Sequence, residues 1–242
     1  MSTVLQLTGV SKAFGAVRVA DELSYDLAHG EALGVIGPNG AGKTSMFNLI
    51  TGTLMSDDGE IAFDGQTITN VSAARRCKMG IARSFQVPQP FGAMTVFENV
   101  LVAATHGADS PLQEANEHCL HVLEQTGLID RANTLAGGLT LLGRKRLELA
   151  RALCAKPKLL LLDEIAGGLT EKECHELVDT INSVRSTGIS IIWIEHIVHA
   201  LLSVVDRLIV IDFGRKIAEG DPKETMASQA VQEIYMGVDA DA

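Results

Sequence analysis

Eight consecutive residues limit what this chain can fold into more than any other stretch: Gly37-Pro38-Asn39-Gly40-Ala41-Gly42-Lys43-Thr44. They match the pattern G-x-x-x-x-G-K-[ST] and stand between an apolar, strand-like segment (residues 32–36) and a helical pattern. Glycines let the backbone wrap closely around a polyphosphate, and the N–H groups that open the following helix face anionic oxygens. The pattern predicts a strand, a phosphate-binding loop and a helix, in that order. The alternative is a glycine-rich turn that binds no ligand.

Individual side chains of this loop have expected roles toward ATP and Mg²⁺. Lys43 is expected to reach the β and γ phosphates. The hydroxyl of Thr44 is the expected Mg²⁺ ligand, because a hard cation that bridges phosphates needs an oxygen at the junction of loop and helix. Ser45 and the remaining residues of the loop are expected to contact the nucleotide.

The overall composition restricts the function classes. With 242 residues, of which 46% are hydrophobic, the chain can bury a full core. A formal net charge of -10 argues against a nucleic-acid partner, which would require a basic surface. The four cysteines are scattered without a C-x-x-C pair, so a reducing cytosol fits best. There is no signal-peptide pattern and no apolar run near the ~20 residues of a membrane span, so we expect a soluble chain that can still dock on a membrane protein.

Two regions alternate apolar and polar residues as short antiparallel strands do: residues 1–30 and residues 59–65. We expect them to form a small antiparallel sheet beside the nucleotide-binding core. Phe14 lies in the first region and could stack on a base, although an aromatic side chain there could equally belong to the core. Residues 93–155 are mainly helical, and Ser110-Pro111-Leu112-Gln113 predicts a capped helix start with Pro111 as its first helical residue.

Two carboxylates, Asp163 and Glu164, follow a continuous apolar run, Leu159–Leu162. Hydrophobicity without alternation predicts a parallel strand buried on both faces, and ligands bind at the carboxyl ends of such strands. Asp163 is expected to hold Mg²⁺ through water, and Glu164 to polarise the water that attacks the γ phosphate. A pair of cap or salt-bridge carboxylates is the structural alternative. His196 follows the next apolar run, residues 189–194, and is expected to contact the γ phosphate or to orient that water.

These motifs together resemble those of ABC transporter ATP-binding subunits, over essentially the whole length of the chain. Gln86, in Arg83-Ser84-Phe85-Gln86, matches the glutamine of that family's Q-loop, which implies a role in binding Mg²⁺ and in sensing membrane subunits. His196 matches the family's switch histidine, and Gly167-Gly168-Leu169-Thr170 occupies the place of its D-loop. More narrowly, IGPNGAGKTSMFNLITG, GIARSFQ, MTVFENVLVAA and IEH resemble the ATPases of importers for branched-chain amino acids and related amides or aromatic acids.

The resemblance implies an α/β fold of the P-loop NTPase ABC ATPase type, with a mixed, RecA-like core sheet, a small antiparallel β subdomain and a helical subdomain. We expect a single domain over residues 1–242, with core and β subdomain at about 1–86 and 156–242 and the helical subdomain at about 87–155. The implied partners are transmembrane permease subunits, a second ATP-binding subunit (a paralogue or an identical chain) and, indirectly, a periplasmic or extracellular solute-binding protein. The implied location is the cytoplasmic face of the cell membrane, as a peripheral subunit.

The chain departs from the family at the signature, usually LSGGQ, which reads Leu139-Thr140-Leu141-Leu142-Gly143 here. Thr140 keeps the hydroxyl of the usual serine, but Leu141 and Leu142 replace the two glycines. Close backbone approach to the γ phosphate across a dimer interface therefore requires that Gly143 take over the role of those glycines. The two leucines favour pairing with a paralogue whose own signature completes the site on Lys43. The D-loop aspartate is also absent, and Thr170 in its place is predicted to cap a helix with Glu173.

We therefore expect an ATPase that powers an importer, with Lys43, Gln86, Glu164 and His196 as its hydrolytic set. The alternative is an ATP-dependent regulatory or assembly clamp of the same superfamily with little turnover, which only the altered signature supports. A DNA-repair ATPase is disfavoured by the acidic charge balance and by the lack of a long insertion. Residues 87–92 are expected to form a mobile loop that docks the membrane subunit, with Phe91 as a contact.

Overall fold

The computed structural model describes residues 2–108 and 110–236. In chain order, the strands are β1 (Thr3–Phe14), β2 (Val17–Ala28), β3 (Ala32–Ile36), β4 (Asp58–Phe63), β5 (Gln66–Thr67), β6 (Ile81–Ser84), β7 (Leu159–Asp163), β8 (Ser190–Ile194), β9 (Arg207–Asp212) and β10 (Arg215–Gly220). The helices are α1 (Lys43–Thr51), α2 (Ala73–Met79), α3 (Val96–His106), α4 (Leu112–Gln125), α5 (Leu141–Cys154), α6 (Glu171–Arg185), α7 (Val198–Leu202), α8 (Pro222–Ala227) and α9 (Gln229–Met236).

The described residues fall into two compact units. We name them the phosphate-loop unit (residues 2–73 and 190–236) and the signature unit (residues 74–108 and 110–189). Within the described residues, no helix is both long and apolar enough to cross a bilayer.

The phosphate-loop unit contains the predicted antiparallel sheet, in the strand order β2-β1-β4-β5. β1 and β2 form one long hairpin, in which Phe14 lies opposite Val17 and Thr3 opposite Ala28. β4 pairs with the other edge of β1. The antiparallel sheet is therefore confirmed, although residues 3–28 form two long strands where several short ones were predicted.

The same unit contains four strands of a mixed sheet, in the order β10-β9-β3-β8. β3 lies between β8 and β9 and is parallel to both, whereas β10 is antiparallel to β9. All five residues of β3 and all five of β8 are buried, which explains the continuous apolar runs in the sequence. Parallel pairing brings the carboxyl ends of these strands to one edge, so the phosphate loop after Ile36 and His196 after β8 leave the sheet on the same side.

The signature unit combines a parallel pair, β6 and β7, with the helices α3, α4 and α5, which pack against one another. Its first long helix, α3, is held at its start by a capping box: the hydroxyl of Thr95 accepts the N–H of Glu98, and the Glu98 carboxylate accepts the N–H of Thr95. The predicted start of α4 was wrong. Pro111 has an extended ψ of 145° and is the cap residue itself, without a side-chain cap hydrogen bond, so the helix begins one residue later at Leu112. The predicted helical subdomain, about 87–155, lies inside this unit, and its own boundaries stay a prediction.

Candidate nucleotide-binding site

The phosphate loop is held by close contacts between its glycines and two neighbouring backbones. A Cβ atom at Gly37 would lie 2.1 Å from the carbonyl oxygen of Ile211 in β9. A Cβ at Gly42 would lie 2.3 Å from the carbonyl oxygen of Val19 in β2, and Gly42 has a φ of 103°, which L side chains rarely adopt. These two positions therefore require glycine for steric reasons that exist before any ligand binds.

The helix that follows this loop presents its N-terminus without a side-chain cap. α1 begins at Lys43, its cap residue is Gly42, and this cap residue makes no side-chain cap hydrogen bond. Backbone N–H groups at such a helix end, with the positive end of the helix dipole, form a site for an anion. Thr44 is exposed and Ser45 half-buried in this first turn. The arrangement fits a phosphate chain and argues against a turn that binds no ligand.

Lys43 lies against the loop that it follows. Its side chain is only 6% exposed, and its ammonium donates hydrogen bonds to the carbonyl oxygens of Gly37 at 2.7 Å and Pro38 at 2.9 Å. These bonds hold a positive charge beside the N-terminus of α1. Both features attract polyphosphate, and they are contributed by neighbouring residues of one chain segment.

A second layer of contacts fixes the loop to the turn between β9 and β10. The N–H of Gly214 donates to the carbonyl of Ala41 at 2.8 Å, and the N–H of Asp21 donates to the carbonyl of Gly214 at 2.9 Å. The Asp21 carboxylate is bound by Arg215 at 2.6 Å and by Arg18 at 2.7 Å. These guanidinium groups lower the pKa of Asp21, with the hydrogen bond from Arg215 as the largest cause. Strand β2 and the β9–β10 turn thus support the loop from outside.

Two further predicted residues of this unit are exposed. Phe14 is 55% exposed and its ring centroid lies 5.4 Å from the ammonium of Lys12, so the side chain is not part of the core and can stack on a ligand. His196 is exposed at the strand edge where the loop begins, since Val35 pairs with Ile194. The backbone N–H of His196 donates to the carboxylate of Glu195 at 2.9 Å. This hydrogen bond restrains the main chain from which the His196 side chain extends.

The signature unit holds both strand-end carboxylates. Asp163 is the last residue of β7, is 3% exposed, and forms an ion pair with Arg83 of β6 at 2.5 Å. Glu164 is half-buried and has a φ of 45°, a left-handed backbone conformation that is uncommon for a residue with a side chain. Its carboxylate accepts a hydrogen bond of 2.5 Å from the side-chain amide of Gln86. The structure therefore brings the side chains of Gln86 and Glu164 together, while their roles stay predictions.

Three residues of α5 in this unit were missed by the sequence analysis. The ammonium of Lys145 donates to the carbonyl oxygens of Gln86 at 2.6 Å and Glu164 at 3.2 Å. Glu148 is buried, which raises its pKa, while Arg151 lies 3.2 Å away and opposes that rise. Arg151 also donates to the carbonyl of Gln89 at 3.1 Å. In the sequence, these three residues are distinguished only by their spacing of three, which places their charges on one face of the helix. Because a charged helix face is ordinarily solvated, this spacing does not indicate a functional role.

The signature segment starts the same helix. The hydroxyl of Thr140 accepts the N–H of Gly143 at 3.2 Å and so caps α5. Arg144 donates to the carbonyls of Leu139 at 3.1 Å and Gly137 at 3.0 Å. Thr140 is exposed, and Gly143 is half-buried. In the D-loop position, the predicted cap is confirmed: Thr170 and Glu173 form a reciprocal capping box.

The residues proposed for Mg²⁺ fit that ion by their chemistry. They supply a hydroxyl (Thr44), a carboxylate (Asp163) and an amide oxygen (Gln86), and hard divalent cations prefer oxygen ligands. Among the described residues, no group of three or more His, Cys, Asp or Glu side chains is placed to hold a metal. One or two protein oxygens together with substrate phosphates are the usual Mg²⁺ arrangement in ATPases, so oxygen donors of these types suit an ion that arrives with the nucleotide.

Comparison with known proteins places this geometry in one family. The family model described as ABC transporter matches residues 20–167. LivG of Methanocaldococcus jannaschii, a probable branched-chain amino acid transport ATP-binding protein, is 33% identical over 97% of this chain and 97% of its own. BraF of Pseudomonas aeruginosa, a high-affinity branched-chain amino acid transport ATP-binding protein, is 32% identical over 97% of this chain and 98% of its own.

A solved structure agrees with these relatives. The ADP conformation of an ATP-binding cassette of an ABC transporter has a TM-score of 0.89 and 32% identity, and the match covers 98% of this chain and 100% of that one. The predicted fold class is therefore confirmed. Relatives named as transport subunits do not favour the alternative of a regulatory clamp. With its phosphate loop, its fold and these relatives in agreement, the chain belongs to the ABC transporter family of ATP-binding proteins.

Proposed function

We propose that this chain is the ATP-binding and ATP-hydrolysing subunit of an ABC importer for branched-chain amino acids or a related small organic solute. The observation that carries the proposal is the glycine-built loop that leads into the uncapped N-terminus of α1, with the Lys43 ammonium beside it. The relatives support the importer role, because LivG and BraF are named as branched-chain amino acid transport proteins.

The phosphate-loop unit supplies the nucleotide contacts. Backbone N–H groups of the loop and of the first turn of α1 bind phosphate oxygens, and Lys43 exchanges a carbonyl partner for the β and γ phosphates. Phe14 stacks on the base, which its exposure permits. Thr44, Asp163 and Gln86 are the proposed oxygen donors for Mg²⁺, and the bound ion neutralises charge that develops on the phosphates.

Hydrolysis is assigned to the carboxylate that follows β7. Glu164 takes a proton from water as the water oxygen forms a bond to the γ phosphorus, and the bond between that phosphorus and the bridging oxygen breaks to leave ADP and phosphate. His196 orients the water or contacts the γ phosphate. The side-chain amide of Gln86 donates a hydrogen bond to the Glu164 carboxylate, which orients the proposed base.

The proposed partners follow from the segment around Gln86, residues 85–91. Three of its apolar side chains are exposed, at 51% for Phe85, 66% for Val87 and 46% for Phe91, and such a group suits a protein partner. We assign this surface to the transmembrane permease subunits, so the chain works as a peripheral subunit on the cytoplasmic face of the membrane. A solute-binding protein acts indirectly through those subunits. A second ATP-binding subunit completes the dimer, and the leucines of the signature favour a paralogue.

The assignment of Glu164 is tested by replacing one oxygen of its carboxylate. Glu164→Gln keeps the size of the side chain but cannot take a proton, so ATP should bind with unchanged affinity while turnover falls by ~10²- to 10⁴-fold. Single-turnover hydrolysis and equilibrium nucleotide binding measure the two quantities on the full chain. The matched control is Glu171→Gln, an exposed carboxylate of the same unit, which should leave both unchanged.

Two outcomes would oppose the proposal. Turnover at the wild-type rate in Glu164→Gln would assign the base to another residue. Turnover of the wild-type chain that does not rise when its membrane subunits are added would favour the ATP-dependent clamp.

A further inference from the structure

Lys145 is a buried cation whose role the proposed function leaves unexplained. Its side chain is 3% exposed. Lysine is rarely buried without compensating partners, because removing an ammonium from water is costly. The partners therefore indicate what the charge is for.

Those partners include the backbones of two proposed catalytic residues. The Lys145 ammonium donates to the carbonyl oxygen of Gln86 at 2.6 Å and to that of Glu164 at 3.2 Å. Gln86 in turn donates its side-chain amide to the Glu164 carboxylate at 2.5 Å. The three residues form a closed ring of hydrogen bonds, in which one ammonium fixes the main chains of the other two.

The contact with Glu164 has a conformational consequence. Glu164 has a φ of 45°, in the left-handed region that is strained for a residue with a Cβ. A cation that binds the carbonyl oxygen of Glu164 restrains this backbone conformation. It therefore helps to fix the position from which the Glu164 side chain extends.

Lys145 differs from the neighbouring charged residues of α5 in the residues that it contacts. One turn and two turns further along the helix, Glu148 and Arg151 engage the segment after Gln86, where Arg151 binds the carbonyl of Gln89 and lies 5.1 Å from the ring of Phe91. These residues fasten that segment to α5. Lys145 is the member of this helix face that also reaches Glu164.

We propose that Lys145 is a positioning residue for ATP hydrolysis, which holds the left-handed backbone of Glu164 and the carbonyl of Gln86 so that the Glu164 carboxylate is aimed at the attacking water. It acts through Glu164 and does not touch ATP. The proposal rests on the assignment of Glu164 as the base.

The test combines a single substitution with a double one in the full chain. Lys145→Met keeps the length of the side chain but removes its donors, and misplacement of a catalytic group typically costs about 10²-fold in rate. We expect that loss in single-turnover hydrolysis, with ATP affinity changed by less than about twofold because Lys145 does not contact the nucleotide. Lys145→Arg, which retains a donor cation, should recover part of the rate. The control is Arg146→Met on the same helix, whose guanidinium instead binds Glu176 at 2.9 Å and which should turn over at the wild-type rate.

The double variant distinguishes positioning from general support of the fold. If Lys145 acts through the Glu164 carboxylate, Lys145→Met should lower the residual rate of Glu164→Gln by less than about threefold, since residues that act as a unit are not additive. A further loss of about 10²-fold in that background, or an unchanged rate in Lys145→Met alone, overturns the inference and leaves the proposed function intact.

Two safeguards keep the result interpretable. Turnover at the wild-type rate in Glu164→Gln overturns the base assignment and this inference together. Should Lys145→Met fail to fold, Lys145→Gln, whose shorter side chain carries no charge, takes its place with the same expectations for the hydrolysis rate, for ATP affinity and for the double variant. An unchanged rate in a folded Lys145→Gln counts against the inference.

Discussion

The phosphate loop and the signature segment each lead into a helix, but the two helix starts are built in opposite ways. α1 begins after Gly42, with no side chain capping its first turn, whereas α5 begins after Thr140, whose hydroxyl already accepts the N–H of Gly143. At Gly37 and Gly42, the phosphate loop also lies so close to neighbouring backbone that no side chain fits. A Cβ atom at Gly143 would have side-chain atoms of Leu139 and Thr140 as its nearest neighbours, at 3.3 Å or more.

This difference separates a site that is prepared within one chain from a site that depends on something else. The N-terminus of α1 is shaped and left open for an anion by the chain itself. The N-terminus of α5 is satisfied by its own hydroxyl, so Thr140 can bind a phosphate only if it shares or leaves that cap. The role of the phosphate loop can therefore be argued from this chain, whereas the role of the signature must be argued from its partner.

The largest expected effect is on the phosphate loop. Lys43→Ala removes a buried ammonium that is expected to pair with phosphate, and such losses cost about 2–5 kcal/mol, which is roughly 30- to 4,000-fold in Kd. Equilibrium binding of ATP to the full chain measures the change. Lys223→Ala, an exposed lysine of the same unit, is the control and should bind normally. Equal affinities for wild type and Lys43→Ala would remove the main contrast between the two helix starts.

Features with local causes could be predicted from the sequence. The apolar run of β3, the strand end at Asp163 and the Thr170 capping box depend on residues close together in the chain, and all three are confirmed. The start of α4 failed at the same scale, because Ser110 looked like a cap but the extended ψ of Pro111 keeps that residue outside the helix. A Pro after a Ser does not by itself decide which of the two is the cap.

Features with tertiary causes could not be predicted. Lys145 contacts a carbonyl 59 positions away in the chain, and nothing in its immediate sequence distinguishes it from a solvated basic residue. Whether Phe14 belongs to the core also depended on packing, and its exposure answers that question. The left-handed backbone of Glu164 is likewise set by its surroundings, since glutamate has no intrinsic preference for positive φ.

A second expected effect concerns the signature and appears only in the assembled transporter. Thr140→Ala removes the cap of α5, which costs about 0.5–2 kcal/mol of stability, but should leave ATP binding to the isolated chain unchanged. If Thr140 also donates to the γ phosphate in a partner's site, hydrolysis should fall by ~10²- to 10³-fold. Thr140→Ser restores the hydroxyl and should restore both quantities.

Transport assays with defined subunits connect that result to the partner. We expect full, cooperative transport to require a second, paralogous ATP-binding subunit beside this chain and the permease subunits. Full transport with this chain as the sole ATPase would refute pairing with a paralogue. A normal hydrolysis rate in Thr140→Ala, with reduced stability, would leave Thr140 as a helix cap and nothing more.

The last pair of variants, which includes the smallest expected effect, places a methyl group at one glycine of each region. Gly42→Ala forces a side chain onto a backbone with a φ of 103° and against the Val19 carbonyl, so we expect a loss of at least about 2 kcal/mol in the free energy of unfolding. Gly143→Ala lies in the first turn of α5, where alanine gains up to ~1 kcal/mol in helix propensity and meets Leu139 Cβ at 3.3 Å and Thr140 Oγ1 at 3.4 Å. The two terms offset each other, so denaturant unfolding should shift by less than about 1 kcal/mol. A folded Gly143→Ala chain that no longer supports hydrolysis in the assembled transporter would show that this glycine makes the close backbone approach, whereas wild-type hydrolysis would assign that approach to the paralogue.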